Sequence, residues 1–160
     1  MRISKDGEYE IRELAKGEWS TAIALAWRIF LQFEAPGYTT AGIRSFKDFI
    51  EDPKLKKQFI SGEYAAFGAF YKAQMVGMMG IRNGNHISLL FVDERYHKKG
   101  VATALFSYFL QQEKMQEISS FTVNAAPYAV GFYHKLGFCD DDKEVVADGI
   151  RFTPMHLRVR

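Results

Sequence analysis

The sequence predicts a mixed α/β fold, a central sheet covered by helices, on three observations. Apolar residues before position 60 recur at spacings of three and four, as on helices. Three β-like runs then follow one another between residues 64 and 92 with only short turn signals between them. Beyond Gly100, helical and strand patterns alternate.

The elements follow in chain order. YEIREL, residues 9 to 14, alternates apolar and polar residues as a short first strand does. From Trp19 to Phe33, Ile23, Ala26, Trp27, Phe30 and Phe33 fall on one face of a first helix. Pro36 and Gly37 stop that helix near Ala35 and leave EAPGY as a loop. Thr39 and Thr40 are N-cap candidates for a second helix that turns Ile43, Phe46, Phe49 and Ile50 inward and ends before Pro53. YAAFGAFY (64–71), MVGMMGI (75–81) and HISLLFV (86–92) read as three consecutive antiparallel strands, the last two joined by the hairpin signal Asn83-Gly84. Val101, Leu105, Tyr108 and Phe109 mark a third helix, and FTVNA (121–125) a buried strand. A short helix from about Pro127 to Leu136 carries Ala129, Phe132, Tyr133 and Leu136 on one stripe and stops at Gly137. Two last strands, around Glu144–Ala147 and Phe152–Arg158, flank an Asp148-Gly149 turn. The predicted order is β α α β β β α β α β β. Residues 1–160 read as a single domain, since a chain of this size buries roughly 70% of its unfolded surface.

Composition excludes several classes. Lys and Arg number 21 against 19 Asp and Glu, so the net charge of +2 offers no general surface for nucleic acid or anionic lipid. MRISKDGEYEIREL lacks the apolar core of a secretory signal, and no run approaches the ~18 apolar residues of a membrane span. The lone Cys139 excludes an intrachain disulfide and fits the reducing cytoplasm. His86, His97, His134 and His156 lack the i, i+4 pairing of a helical metal site, and no metal is expected. Met75, Met78 and Met79 read as adaptable core filler.

The stretch ERYHKKGVATALFSYFL, residues 94–110, carries the first functional signal. A strand ending at Val92, a polar loop and a helix opening near Gly100 leave backbone amides unpaired at the positive end of the helix dipole. Gly100 lets a phosphate approach the backbone, Ala102 keeps the next turn clear, and Lys98 and Lys99 add positive charge. A phosphate or pyrophosphate is the expected guest.

A second stretch, VNAAPYAVGFYHKLGF (123–138), joins VDERYHKKGVA, and together they resemble the GNAT superfamily of acetyl-CoA-dependent N-acetyltransferases. That family places an Arg/Gln-x-x-Gly-x-Gly/Ala loop five residues after a strand-ending valine; here Val92 precedes His97-Lys98-Lys99-Gly100-Val101-Ala102, with His97 and Lys98 departing from the usual residues. The later motif is matched by Ala129, Phe132, Tyr133, Lys135, Gly137 and Phe138, with Ala126 where Asn is usual.

The resemblance implies acetyl-CoA as co-substrate and a primary amine of a small molecule or peptide as acceptor. It implies coenzyme binding by Leu90, Phe91, Val92, His97, Lys98, Lys99, Gly100, Val101, Ala102, Thr103, Ala126 and Tyr133, with backbone amides at Leu90, Phe91 and Val92 serving the thioester oxyanion. Tyr133 matches the family's general acid, its phenol being protonated at neutral pH. An alkylammonium acceptor must first lose a proton, to a carboxylate, a histidine or water. Glu34, His86, Asp93 and Glu94 are the residues available; Glu34 is singled out because the EAPGY loop lines the acceptor pocket in this superfamily, where Tyr38 would help to shape it. Asp93 and Glu94 are expected to cap or flank the phosphate loop.

A nucleotide-binding protein lacks its glycine motifs here. Nucleic-acid binding through RYHKKG lacks interleaved aromatics over a broad basic face. A non-catalytic coenzyme A sensor or interaction module on the same fold remains the alternative. The final strand, FTPMHLRV, could pair or pack with a second copy, as is common among the proteins it resembles, implying a homodimer.

Overall fold

The computed structural model describes residues 2–3, 9–112 and 117–159. Its strands are β1 (Arg2–Ile3), β2 (Glu10–Glu13), β3 (Ala65–Tyr71), β4 (Gln74–Arg82), β5 (His86–Val92), β6 (Ser120–Ala125), β7 (Cys139–Asp140), β8 (Val145–Ala147) and β9 (Ile150–Arg158). The helices are α1 (Trp19–Phe33), α2 (Thr40–Glu51), α3 (Pro53–Ser61), α4 (Val101–Leu110) and α5 (Val130–Leu136). Strands lie in the order β1-β2-β3-β4-β5-β6-β9-β7, with β8 paired to β9. Every described pair is antiparallel except β5 with β6, whose parallel pairing requires a crossover that α4 supplies.

The sheet separates two apolar clusters. Alternation along each strand sends neighbouring side chains to opposite faces, so Met79 joins Leu105, Phe109, Phe121 and Met155 beneath α4 while Met78 joins Ile29, Phe30, Leu89 and Phe91 beneath α1. Both methionines are fully buried, as core filler should be.

Several elements differ from the sequence reading. Pro53 does not merely end α2; it is the first residue of α3, whose N-cap Asp52 accepts from the Lys54 amide at 2.9 Å. Leu55 and Phe59, four apart, bury its inner face. On α1 the buried stripe is Trp19, Ala22, Leu25, Ala26, Ile29 and Phe30, so Ile23, Trp27 and Phe33 lie at its margin. The short strand β7 was not foreseen, and with β8 it covers the far side of β9. Along β9, β6 pairs on one side, and β7 and β8 pair with parts of the other.

Two features open the middle of the sheet. β5 and β6 pair only at His86 with Thr122 and Ile87 with Val123, and beyond these positions the strands diverge. In the same place the β4–β5 register slips between Gly80 and Ile81, leaving Ser88 as an extra residue on β5. Tyr64 holds this bulge: its hydroxyl and the Ser88 hydroxyl lie 2.7 Å apart, and the Tyr64 ring occupies the space that a Cβ on Gly80 would need.

Candidate active site

The loop from Val92 to α4 is held by ion pairs at its root. Asp93, buried, accepts from the Arg95 amide at 2.9 Å and from the Arg95 and Arg28 guanidiniums at 3.0 Å each. The Arg95 hydrogen bond first, then Arg28, pull its carboxyl down to about 2. Glu94 pairs with the same Arg28 at 2.6 Å. Both acids thus anchor the loop through their ion pairs.

Past this anchor the chain reaches Gly100 with φ of 80°, a left-handed conformation that suits glycine, and no atom lies within 4 Å of where its Cβ would sit. Among the described residues no side chain caps α4, and its first internal hydrogen bond runs from the Ala104 amide to the Gly100 carbonyl. The amides of Val101, Ala102 and Thr103 therefore open outward at the positive end of a ten-residue helix. Lys98 and Lys99 are exposed beside them. His97 is placed differently: its Nε2–H donates to the Val92 carbonyl at 2.6 Å and its ring packs on Phe33, so the side chain ties the loop to β5.

The register of β5 sorts the three predicted oxyanion residues. The Asp93 amide bonds to the Val76 carbonyl at 2.8 Å, so in the antiparallel alternation Phe91 also faces β4, while Leu90 and Val92 turn their amides toward the gap left by β6. Phe91 sends its side chain into the core beneath α1 and is removed from the amide pair.

A cavity of about 520 Å³ occupies the gap and its α2 side. Tyr133, on α5, lines it with the phenol 4% exposed and, among the described residues, with no hydrogen-bond partner shown for its hydroxyl. Burial, and then the charge of Glu34, raise its pKa above the ordinary phenol value, so it stays protonated. Glu34, at the end of α1, lines the same cavity, and burial pushes its carboxyl up to about 7 against the opposing hydrogen bond that Tyr38 donates at 3.4 Å. Ala126 lines the cavity where β6 ends.

Some lining residues had no signal in the sequence. Tyr128, stacked on Phe33 at 5.7 Å, sits in a turn that reads only as a helix start. Arg82 and Ser88 reach the cavity through the end of a hairpin and a bulge. Only the Asn83-Gly84 turn marked their neighbourhood in advance. His86, one of the four residues available as a base, lies 2.8 Å from the Thr122 hydroxyl, and burial and the Arg82 charge lower its pKa, keeping it neutral.

A split sheet with amides directed into the gap along one strand and an open helix N-terminus at its end suits an extended thioester ligand with a diphosphate, the kind of ligand an acyl-CoA-dependent transferase takes. The residues fit the coenzyme, because the open space at Gly100 follows closely on β5, whose Leu90 and Val92 amides face no paired strand among the described residues. The acetyltransferase (GNAT) domain family matches residues 34–159, and the chain belongs to that family. It is an acyltransferase. Over 152 residues it is 26% identical to the uncharacterized N-acetyltransferase YafP of Escherichia coli (strain K12), covering 94% of this chain and 95% of that one. Its fold is similar to a GCN5-related N-acetyltransferase from Rhodopseudomonas palustris, with TM-score 0.80, 20% identity and 99% of both chains covered. It is also similar to the PaiA N-acetyltransferase from Thermoplasma acidophilum, solved in complex with coenzyme A, with TM-score 0.74, 22% identity and coverage of 94% and 98%.

Proposed function

We propose that the chain moves an acetyl group from acetyl-CoA to a primary amine by direct attack. The observation that carries this reading is one cavity lined by two complementary groups: a buried phenol held protonated and a carboxyl whose pKa lies near neutrality. Acetyl-CoA supplies the activated acyl carbon; the residues of the chain bind and orient it and move the protons.

The amides of Val101, Ala102 and Thr103, with Lys98 and Lys99 around them, hold the diphosphate. The Leu90 and Val92 amides pair with the pantetheine arm and donate to the carbonyl oxygen as it gains charge. Glu34 takes the proton that the ammonium must lose before its lone pair can attack. As the C–N bond forms the nitrogen gives up its second proton to solvent, and as the C–S bond breaks Tyr133 gives its proton to the departing sulfur and regains one from solvent. The products are an amide and free coenzyme A, with one proton released overall. The free thiol of Cys139 is exposed, which suits the reducing cytoplasm.

Thiol release from acetyl-CoA, measured across a panel of primary amines and peptides, tests the reading. Acceptor-dependent release is expected. Tight coenzyme binding with no release for any amine would replace this reading by that of a coenzyme A sensor.

A further inference from the structure

The cavity is polar at its two ends with opposite signs. At one end lies Glu34; Asp148 lines the same end, because the next residue, Gly149, accepts from the Thr39 amide at 3.3 Å beside Tyr38. At the other end are Arg82, the last residue of β4, and neutral His86, the first of β5. Arg82 forms no salt bridge among the described residues, although many of the other arginines here have a carboxylate. Between the ends Phe46 and Phe49 of α2 and Phe152 of β9 give an apolar wall, with Ser88 and Asn124 as polar residues beside it.

The separation follows from the strand. The amide of Leu90, at the level of the reacting carbonyl, lies four residues along β5 from His86, roughly 13 Å at about 3.3 Å per residue. Arg82 is opposite His86 in the register, and a guanidinium can extend several ångströms back along the wall. A guest whose amine meets Glu34 must therefore be elongated if its far end is to reach the cation. A guanidinium with no ion-pair partner among the described residues, exposed at the mouth of the cavity, favours a carboxylate there, since its planar donors match that group.

Resting on the acetyl-transfer reading, we propose that the acceptor is an elongated primary amine with an apolar middle and a carboxylate about 10 Å from its nitrogen, which Arg82 binds. Two sources share this chemistry, a free ω-amino acid and the N-terminus of a peptide of about three residues.

The test compares matched acceptors on the intact protein: 8-aminooctanoate against octylamine, and Gly-Phe-Gly against its C-terminal amide. Native protein is expected to favour the carboxylate member of at least one pair by about tenfold or more in kcat/KM. The preferred pair identifies the source. Arg82→Gln should bring that ratio toward one, Arg82→Glu should invert it, and Arg82→Lys should restore part of it. Coenzyme A affinity, measured on each variant by calorimetry, reports that the fold is intact. A native ratio near one in both pairs overturns the proposal, as does a ratio that Arg82→Gln leaves unchanged. The acetyl-transfer reading fails separately, when no amine of any kind releases thiol.

Discussion

A Cβ atom placed on Gly42 would collide with the carbonyl oxygen of Gly149, 107 residues later in the chain. One on Gly149 would strike the Thr39 hydroxyl, and the Thr39 amide donates to the Gly149 carbonyl at 3.3 Å. The tip of the β8–β9 hairpin is thus seated on the first turn of α2. Both elements supply walls of the cavity, so this contact sets its width.

Gly42→Ala is expected to push the hairpin away, since the obstacle is backbone and not a yielding side chain. The KM for the acceptor should rise about tenfold while that for acetyl-CoA changes little, and the strain should cost about 1–3 kcal/mol of stability. Steady-state kinetics with each substrate varied, and thermal unfolding, read the two effects. Gly149→Ala adds a left-handed φ of 79° and should be the less stable of the pair.

Tyr133→Phe removes one hydroxyl from a position 4% exposed and keeps the ring that packs against Phe132 and Phe138. With its proton-donating role gone, kcat should fall about 100-fold or more while coenzyme A affinity holds within a few-fold. Calorimetry with coenzyme A and single-turnover kinetics separate these quantities. Retained turnover would remove Tyr133 from the chemistry.

Glu34 gives a pH signature. As a base it must be ionised, so kcat/KM should climb with pH through about 7, and Glu34→Gln should lower the rate and abolish that limb. The sign for stability is the reverse. The folded carboxyl titrates near 7 and the unfolded one near 4.5, so between these values the native state holds the extra proton and stability falls as pH rises. The loss is complete above pH 7 and amounts to at most about 3 kcal/mol. Glu34→Gln should therefore unfold at a higher temperature than the native chain at pH 8, and differ less at pH 5.

Asp93 behaves oppositely. Its folded carboxyl, near 2, lies below the ordinary 3.8, so its ion pairs stabilise above that value and are lost as pH falls toward 2. Asp93→Asn should cost about 2 kcal/mol at pH 7 and loosen the phosphate loop, raising the KM for acetyl-CoA several-fold. Denaturant unfolding at pH 7 and pH 3 should show the difference shrinking at the lower pH.

What the chain dictates locally was legible before any folding. Gly100 after two lysines, Gly137 after a short amphipathic helix and Asn83-Gly84 between two apolar runs carry their conformations in their own backbone preferences, so the loop before α4, the end of α5 and the hairpin could be placed from sequence. Proline was more equivocal. Asp52-Pro53 serves equally as the end of one helix and the start of another, and only the burial of Leu55 and Phe59 against Trp19 and Tyr64 decides for α3. Long-range pairing settled the rest. Which of Leu90, Phe91 and Val92 offers its amide depends on the β4–β5 register and its Ser88 bulge, a relation between strands that neither strand contains alone. Glu34 reads as an ordinary acid at a helix end until burial raises its pKa, and Arg82 as an ordinary hairpin residue until the parting of β5 from β6 makes it one end of a cavity. Turn chemistry and helix ends act over a few neighbouring residues, whereas desolvation and strand register depend on partners that only the folded chain brings together.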